Sequence, residues 1–275
     1  MDTGLSGQVV LVTGASGGIG SAICRSFAAE GARLVLHYQT GRAKAQALRS
    51  ELGQSETVVC RADLRKEADT RVLFQKAVER FGRVDTLVAN AAAWETKPVS
   101  LHETSQRRWQ RTIDGVLGTT FLALREFLRL VAKQRHGNAV LIASTAAVFG
   151  EAGHADYSAA KAAVAYGLTR SIKNEMTRLA PHSRRYCGGR INCICPGWTL
   201  VPRVAKAIGQ PERIRRILAT MALPQLAKPE DIANAAVFLS SDLLARHITG
   251  QILVIAGGME GRLLWQPAEI DPNLA

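Results

Sequence analysis

QVVLVTGASGGIG, residues 8–20, sets an apolar run directly against a glycine-rich turn. The run has no polar alternation, the pattern of a strand buried on both faces. Gly14, Gly18 and Gly20 then let the backbone turn sharply and come close to a ligand. Ser16, Gly17 and Ile19 belong to the same turn, and a helix is predicted from about Gly18 to Glu30, stopped by Gly31. A helix starting here aims its free N–H groups at the turn, which suits a pyrophosphate. The spacing Gly-x-x-x-Gly-x-Gly differs from the G-x-G-x-x-G fingerprint. A glycine-rich turn alone is as good a structural loop. Its place after the first strand of a βαβ series makes it a nucleotide site.

That series runs on along the chain. Strands are predicted at 33–38, 57–63, 85–90, 139–144, 190–195 and 251–257. Helices are predicted near 42–52, 66–81, 104–132, 155–180 and 228–241, the second ending at Gly82 in a left-handed cap. The alternation predicts an α/β protein: one Rossmann domain over 1–275, with a doubly wound parallel sheet of about seven strands and helices on both faces. Two stretches break the rhythm. SRRYCGG (183–189) is a polar insert, and 198–228 is a long excursion after the sixth strand, where a lid is expected. The tail 260–275 carries Leu263, Leu264 and Trp265, candidates for packing on a neighbouring subunit.

The 275 residues are 47% hydrophobic, enough for a large core without disulfides or metals. No apolar run is long enough for a membrane span, and MDTGLSGQVVLVTG reads as a lead into a strand rather than a signal peptide. The five cysteines form no CxxC pair and no zinc spacing, so reduced, mostly buried thiols in a cytoplasmic protein are expected, and no metal. The net charge of +12 favours anionic partners. Its clusters at Arg107–Arg108–Arg111, Arg184–Arg185 and Arg213–Arg215–Arg216 accompany no nucleic-acid module and read mainly as solvated faces. A phosphorylated cofactor or acidic substrate is the functional alternative.

An NAD site wants an acid about twenty residues past the turn, to hold the ribose hydroxyls. Here the second strand ends His37-Tyr38-Gln39-Thr40-Gly41-Arg42, with no acid. An adenosine 2′-phosphate would meet no repulsion, and Arg42, or less favourably Lys44, could pair with it. NADP(H) is therefore favoured, with NAD(H) possible. Tyr38, Gln39, Asp63 and Leu64 are placed at the adenosine end, although Asp63 could equally cap the next helix.

ADYSAAKAAVAYGLTR (155–170) is almost all small or apolar except for Tyr157 and Lys161. Four residues apart on a helix, they share a face. A nearby ammonium stabilises a phenolate and lowers the phenol's pKa, giving a proton donor and acceptor usable near neutrality. Ser144 ends the fifth strand, where its hydroxyl could hold a substrate oxygen. A lone Tyr and Lys would be surface decoration; the glycine turn and the strand-end serine make the set specific.

With these residues the sequence resembles the short-chain dehydrogenase/reductase family over about residues 5–260, in its 3-oxoacyl-carrier-protein-reductase-like or glucose-dehydrogenase-like branch. TGASGGIG matches the cofactor turn, and Ser144, Tyr157 and Lys161 match the Ser and Tyr-x-x-x-Lys positions. Cys195-Pro196-Gly197 matches the turn beside the nicotinamide; 228–241 and 248–258 match the final helix and strand. The resemblance implies hydride transfer between a nicotinamide and a carbonyl or secondary alcohol. It implies that Tyr157 exchanges the proton, Lys161 holds the nicotinamide ribose, and Ser144 orients the carbonyl. It also implies Asn90, Ala91, Pro196, Gly197 and Thr199 at the cofactor. Family members often dimerise or tetramerise through helices like 104–132 and 155–180, so a homotetramer, or a homodimer, is expected.

Three departures stand out. The usual Asn-Asn-Ala-Gly is Ala89-Asn90-Ala91-Ala92, and a usual later threonine is Val201. In WQRTIDGVLGTTF (109–121), Val116 stands where members place an asparagine that anchors a relay water at a helix kink. Gly115 could still kink the helix. This departure motivates a rival reading, a nucleotide-binding sensor or scaffold; reduction of C=N or acyl-carrier substrates is a third. Candidate substrate-wall residues are Trp94, Glu95, Ala146, Phe149, Gly153, His154, Trp198 and Met221. The lid cations Arg203, Lys206, Arg213, Arg215 and Arg216 are weaker candidates for an anionic group.

Overall fold

In the computed structural model, strand β1 (Val9–Val12) lies in the middle of the sheet with all four side chains buried. The structure describes residues 2–53, 56–183, 186–202, 204–205 and 211–259. Alternate positions of β1 serve different layers. Val9 and Leu11 join a core with Leu73 and Phe74 of α3 (Glu67–Phe81) and Leu124 and Phe127 of α5 (Thr119–Gln134). Val10 and Val12 join a second core with Ile23 and Phe27 of α1 (Gly18–Ala29) and Ile232 of α10 (Pro229–Ser240). Burial of such side chains is worth roughly 1.5–3 kcal/mol each, which is why the strand carries no polar residue on either face.

The other strands are β2 (Arg33–Tyr38), β3 (Thr57–Arg61), β4 (Thr86–Ala89), β5 (Asn138–Ile142), β6 (Arg190–Pro196) and β7 (Ile252–Ile255). All seven are parallel, in the order β3-β2-β1-β4-β5-β6-β7. This is the doubly wound α/β sheet expected from the alternation. Val10 pairs with Leu34 on one side and Thr86 on the other, so the strand order reverses at β1 and a crevice opens beyond its carboxyl end. Helix α2 (Arg42–Glu51) follows β2, and α3 ends at Gly82 with φ of 78°, the predicted left-handed cap.

The two longest predicted helices are not continuous. The first is α4 (Gln106–Ile113), a π-turn over Asp114–Gly118, and then α5. The second is α7 (Ala155–Ala162), a π-turn over Ala163–Leu168, and then α8 (Thr169–Leu179). Each turn ends at a buried threonine that bonds back. Thr119 Oγ1 donates to the Gly115 and Val116 carbonyls at 3.1 Å, and Thr169 Oγ1 to that of Val164 at 3.0 Å. Such hydroxyls compete with the helical ladder for carbonyls. A short helix, α6 (Ala146–Phe149), was not predicted, and α9 (Pro211–Leu218) lies in the 198–228 excursion. The tail 260–275, Arg184, Arg185, Arg203 and Lys206 lie outside the described residues.

At the amino end of the sheet a buried charge cluster joins five segments. His136 lies with Nδ1 3.3 Å from Asp85 Oδ1 and Nε2 3.0 Å from Asp242 Oδ2. Asp85 pairs with Arg83 and accepts from the Val9 amide at 2.9 Å. Asp242 also accepts from Arg190 at 3.1 Å, Asn138 at 2.9 Å and the Cys187 thiol at 3.2 Å. Burial works against the charge of His136, but its two carboxylates outweigh that and raise its pKa. Burial likewise opposes both carboxylates, yet His136 and the arginines hold them below the ordinary range. The polar insert thus has a role through Cys187, and the Tyr186 ring stacks 4.2 Å from that of His136. Cys24, Cys60, Cys193 and Cys195 are buried thiols.

Candidate active site

Beyond the carboxyl ends of the strands lie two cavities that share Asn90 and Ala92 as walls, so they form one trough. The nucleotide half begins at the glycine turn. Gly14 has φ of 68°, where a side chain is strained. A Cβ at Gly20 would lie 2.2 Å from the Gly14 carbonyl oxygen. Asn90 locks the turn: its Nδ2 donates to the Thr13 and Gly14 carbonyls at 3.0 and 3.3 Å. Thr13 Oγ1 accepts from the amides of Asn90 and Ala91, both at 2.9 Å. Gly14, Ser16, Gly17, Gln39, Asp63, Leu64 and Ala91 line this half. Gly18 opens α1 with no side-chain cap before it, so its first N–H groups are available to an anion.

His37 was missed by the sequence reading. It accepts from the Gly14 amide through Nδ1 at 3.0 Å, so its proton sits on Nε2, 3.1 Å from the Ala62 carbonyl. Burial pushes its pKa down to about 4, which keeps the ring neutral in this role. A histidine inside an apolar strand gives no sequence signal for it. Tyr38 is buried in the sheet, and Arg42 is exposed at the start of α2; neither lines the trough. Arg65 lines it instead, holding Asp63 through two hydrogen bonds of 2.9 and 2.7 Å. That pairing draws the Asp63 carboxyl down to about 2.

The other half brings together Ile19, Ser144, Tyr157, Lys161, Pro196, Gly197 and Thr199. Lys161 is buried at the foot of α7 and donates to the Ile142 carbonyl at 2.6 Å. Its Nζ lies 5.8 Å from the centre of the Tyr157 ring. No carboxylate pairs with it among the described residues, and burial pushes its pKa down to about 8. Ser144 Oγ accepts from the Ala146 amide at 3.1 Å, which leaves the hydroxyl proton free to donate into the cavity. Asp156 fixes the helix that carries Tyr157: it accepts from Thr112 at 2.7 Å and Arg108 at 3.2 Å, both on α4. Arg108 is thus a half-buried tie, not part of a solvated face.

The expected kink at Gly115 is the first π-turn. A Cβ there would come within 2.8 Å of the Ala93 side chain, and the Ala93 amide donates to the Gly115 carbonyl at 3.1 Å. Val116 is fully buried, and its carbonyl accepts from Thr119 and Thr120 at 3.1 and 2.8 Å. Of the substrate-wall candidates, Trp94 and Trp198 line the cavity. Ala146 is buried and His154 sits behind Trp94, ring centres 5.9 Å apart. Phe149 packs with Met221 in the lid cluster, Gly153 is a turn with φ of 79°, and Glu95 pairs with Arg111 at 2.8 Å. Glu151, Val201 and Val204 are cavity walls that the sequence did not single out, except Val201 as a departure.

The comparisons with known proteins agree with this geometry. Residues 14–260 match the family described as enoyl-(acyl carrier protein) reductase. The chain is 33% identical over 259 residues to a 3-oxoacyl-[acyl-carrier-protein] reductase of Synechocystis, covering 94% of this chain and 98% of the relative. It is also 33% identical to an L-fucose dehydrogenase of Bos taurus, covering 98% and 97%. Among solved structures it is similar to a 7α-hydroxysteroid dehydrogenase complexed with NADH and 7-oxo-glycochenodeoxycholic acid, with a TM-score of 0.85, 28% identity, and 94% and 96% coverage. Sequence, sheet order and trough converge, and the chain belongs to the short-chain dehydrogenase/reductase family of oxidoreductases.

Proposed function

We propose that this protein is an NADP(H)-preferring reductase of carbonyl compounds and dehydrogenase of the corresponding secondary alcohols. The observation that carries the reading is Lys161, a buried ammonium with no carboxylate paired to it among the described residues, beside Tyr157 in a cavity that also holds Ser144. A structural role would have supplied a counter-ion; a proton-transfer role needs the charge available to the phenol. The glycine cradle fits a dinucleotide, since no side chain could be added at Gly20 and the α1 amides face the turn. A bound nicotinamide cofactor would supply or accept the hydride. The residues that would hold it are Gly14 to Gly20, Asp63, Leu64, Ala91, Pro196, Gly197 and Thr199.

The chain's own residues handle the proton and the orientation. The Ser144 hydroxyl donates to the substrate oxygen, its own oxygen being pinned by the Ala146 amide. The Tyr157 hydroxyl gives its proton to that oxygen in reduction and takes it back in oxidation. The Lys161 ammonium, fixed on the Ile142 carbonyl, favours the phenolate that results. The π-turn held by Thr119 and Thr120 keeps the helix bent without the usual asparagine.

NADP(H) preference is supported by the adenosine end, where Gln39 and Thr40 line the trough and the one lining carboxylate, Asp63, is neutralised by Arg65. Arg65, which lines the trough, is the cation for a 2′-phosphate; Arg42, exposed at the start of α2, does not line it. A homotetramer is supported by two separate exposed apolar faces: Trp109, Phe121 and Tyr166 on the interrupted helices, and Phe238, Leu253 and Val254 beside the β7 edge. The free thiols favour the cytoplasm. The test is the Tyr157→Phe variant: it should bind NADPH more tightly than NADH while carbonyl reduction falls by about 10²-fold or more. Full turnover in that variant would end this mechanism, and equal affinity for the two cofactors would end the NADP(H) preference.

A further inference from the structure

Glu151 lines the catalytic cavity with Ser144, Tyr157 and Lys161, and it is half-buried. Among the described residues its carboxylate has no hydrogen-bond or ion-pair partner. Leaving a carboxylate partly desolvated and unpaired is costly unless something else satisfies it. The residue is held in place: its carbonyl accepts from the His154 amide at 3.0 Å. The turn behind it is tied down where the Gly153 carbonyl accepts from the Val99 amide at 2.9 Å. These bonds fix the main chain that carries the carboxylate beside the cavity, where a donor arriving with the substrate would meet it.

The rest of the cavity decides which donor. Trp94 and Trp198 present indole surface suited to the C–H faces of a ring or chain. The Lys161 ammonium in the same cavity and the chain's +12 charge disfavour a cationic substrate. The Glu151 charge disfavours an anionic one. What remains is a neutral molecule whose O–H groups can donate to the carboxylate.

We propose that Glu151 is a specificity-determining residue that selects hydroxylated substrates, polyol- or sugar-like compounds with a hydroxyl beside the reacting carbon. This rests on the hydride-transfer reading above and deepens it. A hydroxyl next to the reacting carbon donates to the carboxylate while Ser144 and Tyr157 engage the reacting oxygen, so the substrate is held at two points. A plain ketone leaves the Glu151 carboxylate unsatisfied.

The test uses a matched pair, 2-hydroxycyclohexanone and cyclohexanone, with the full-length protein and NADPH. The wild type should show kcat/KM at least about tenfold higher for the hydroxyketone, as a hydrogen bond to a charged group supports. Glu151→Gln should remove most of that ratio, chiefly through the hydroxyketone, and Glu151→Leu should invert it towards cyclohexanone. Cyclohexane-1,2-diol should also quench the indole fluorescence of cofactor-loaded Tyr157→Phe protein more strongly than cyclohexanol, and the difference should vanish when Glu151→Gln is added. Equal kcat/KM for the two ketones in the wild type, or a ratio unchanged by Glu151→Gln, would overturn the inference and leave the hydride-transfer reading intact. No turnover of either ketone, with cofactor bound, would overturn that reading and the inference with it.

Discussion

The two ends of the sheet each bury a cation, and they treat it in opposite ways. At the amino end His136 lies between Asp85 and Asp242, and Arg190 and Arg83 complete the balance. At the carboxyl end Lys161 has one carbonyl partner, and burial draws its pKa down to about 8. The first arrangement holds segments from distant parts of the chain together. The second leaves a charge dissatisfied, which is what a proton-handling site requires. Burial costs both cations; only the compensation differs. The molecule thus compensates a buried cation fully at one end and leaves one without a carboxylate partner, among the described residues, at the other.

The widest breach of this contrast is at Lys161. Lys161→Met should lower kcat for carbonyl reduction by about 10²-fold or more, and thermal unfolding should shift upward because an uncompensated buried charge is gone. A variant that loses both activity and stability would show that Lys161 is structural as well. Next in size is Asp242→Asn at the other end. It strips the charge from the partner of His136 and Arg190, so it should cost about 3–5 kcal/mol in denaturant unfolding while kcat of the folded fraction stays at the wild-type value. A loss of turnover with unchanged stability would erase the division between the ends.

The smallest effect sharpens the contrast through pH. His136 has a raised folded pKa, so its stabilisation is fully present below the ordinary value of 6.5 and is lost as pH rises through the folded value. Asp85 and Asp242 are depressed, so their stabilisation is present above the ordinary value of 3.8 and is lost as pH falls below it. Unfolding midpoints measured from pH 6 to 9 should fall more for the wild type than for His136→Gln. Parallel curves would show that the imidazole is neutral in the folded protein.

The sequence disclosed the carboxyl end of the sheet more readily than the amino end, for physical reasons. Strands buried on both faces need unbroken apolar runs, so every strand was placed within two residues of its observed bounds. The glycine turn, Ser144 and the Tyr157–Lys161 pair are local patterns, and the structure brings them to one trough. The charge cluster is different. Asn138 and Asp242 are 104 residues apart and Val9 and Asp85 are 76 apart, and no periodicity links them. Glu151 was passed over because a loop glutamate looks like any other until the cavity is known. Gly115 signalled a kink in the first of the two long helices, but the π-turn in the second was hidden because its residues fit an ordinary helix; Thr169, bonding back from its far side, marks it.

Those turns have a consequence for how the chain can change. Each accommodates one residue more than the regular helix would, and a residue of α-helix corresponds to about 100° of rotation. Removing one residue between Asp114 and Gly118 would let the stretch close into a regular helix with Phe127 still on its core, whereas a further insertion would swing Phe127 away from it. The bend is therefore written in the count of residues and in the hydroxyls that take the Gly115 and Val116 carbonyls, not in the side chain at 116.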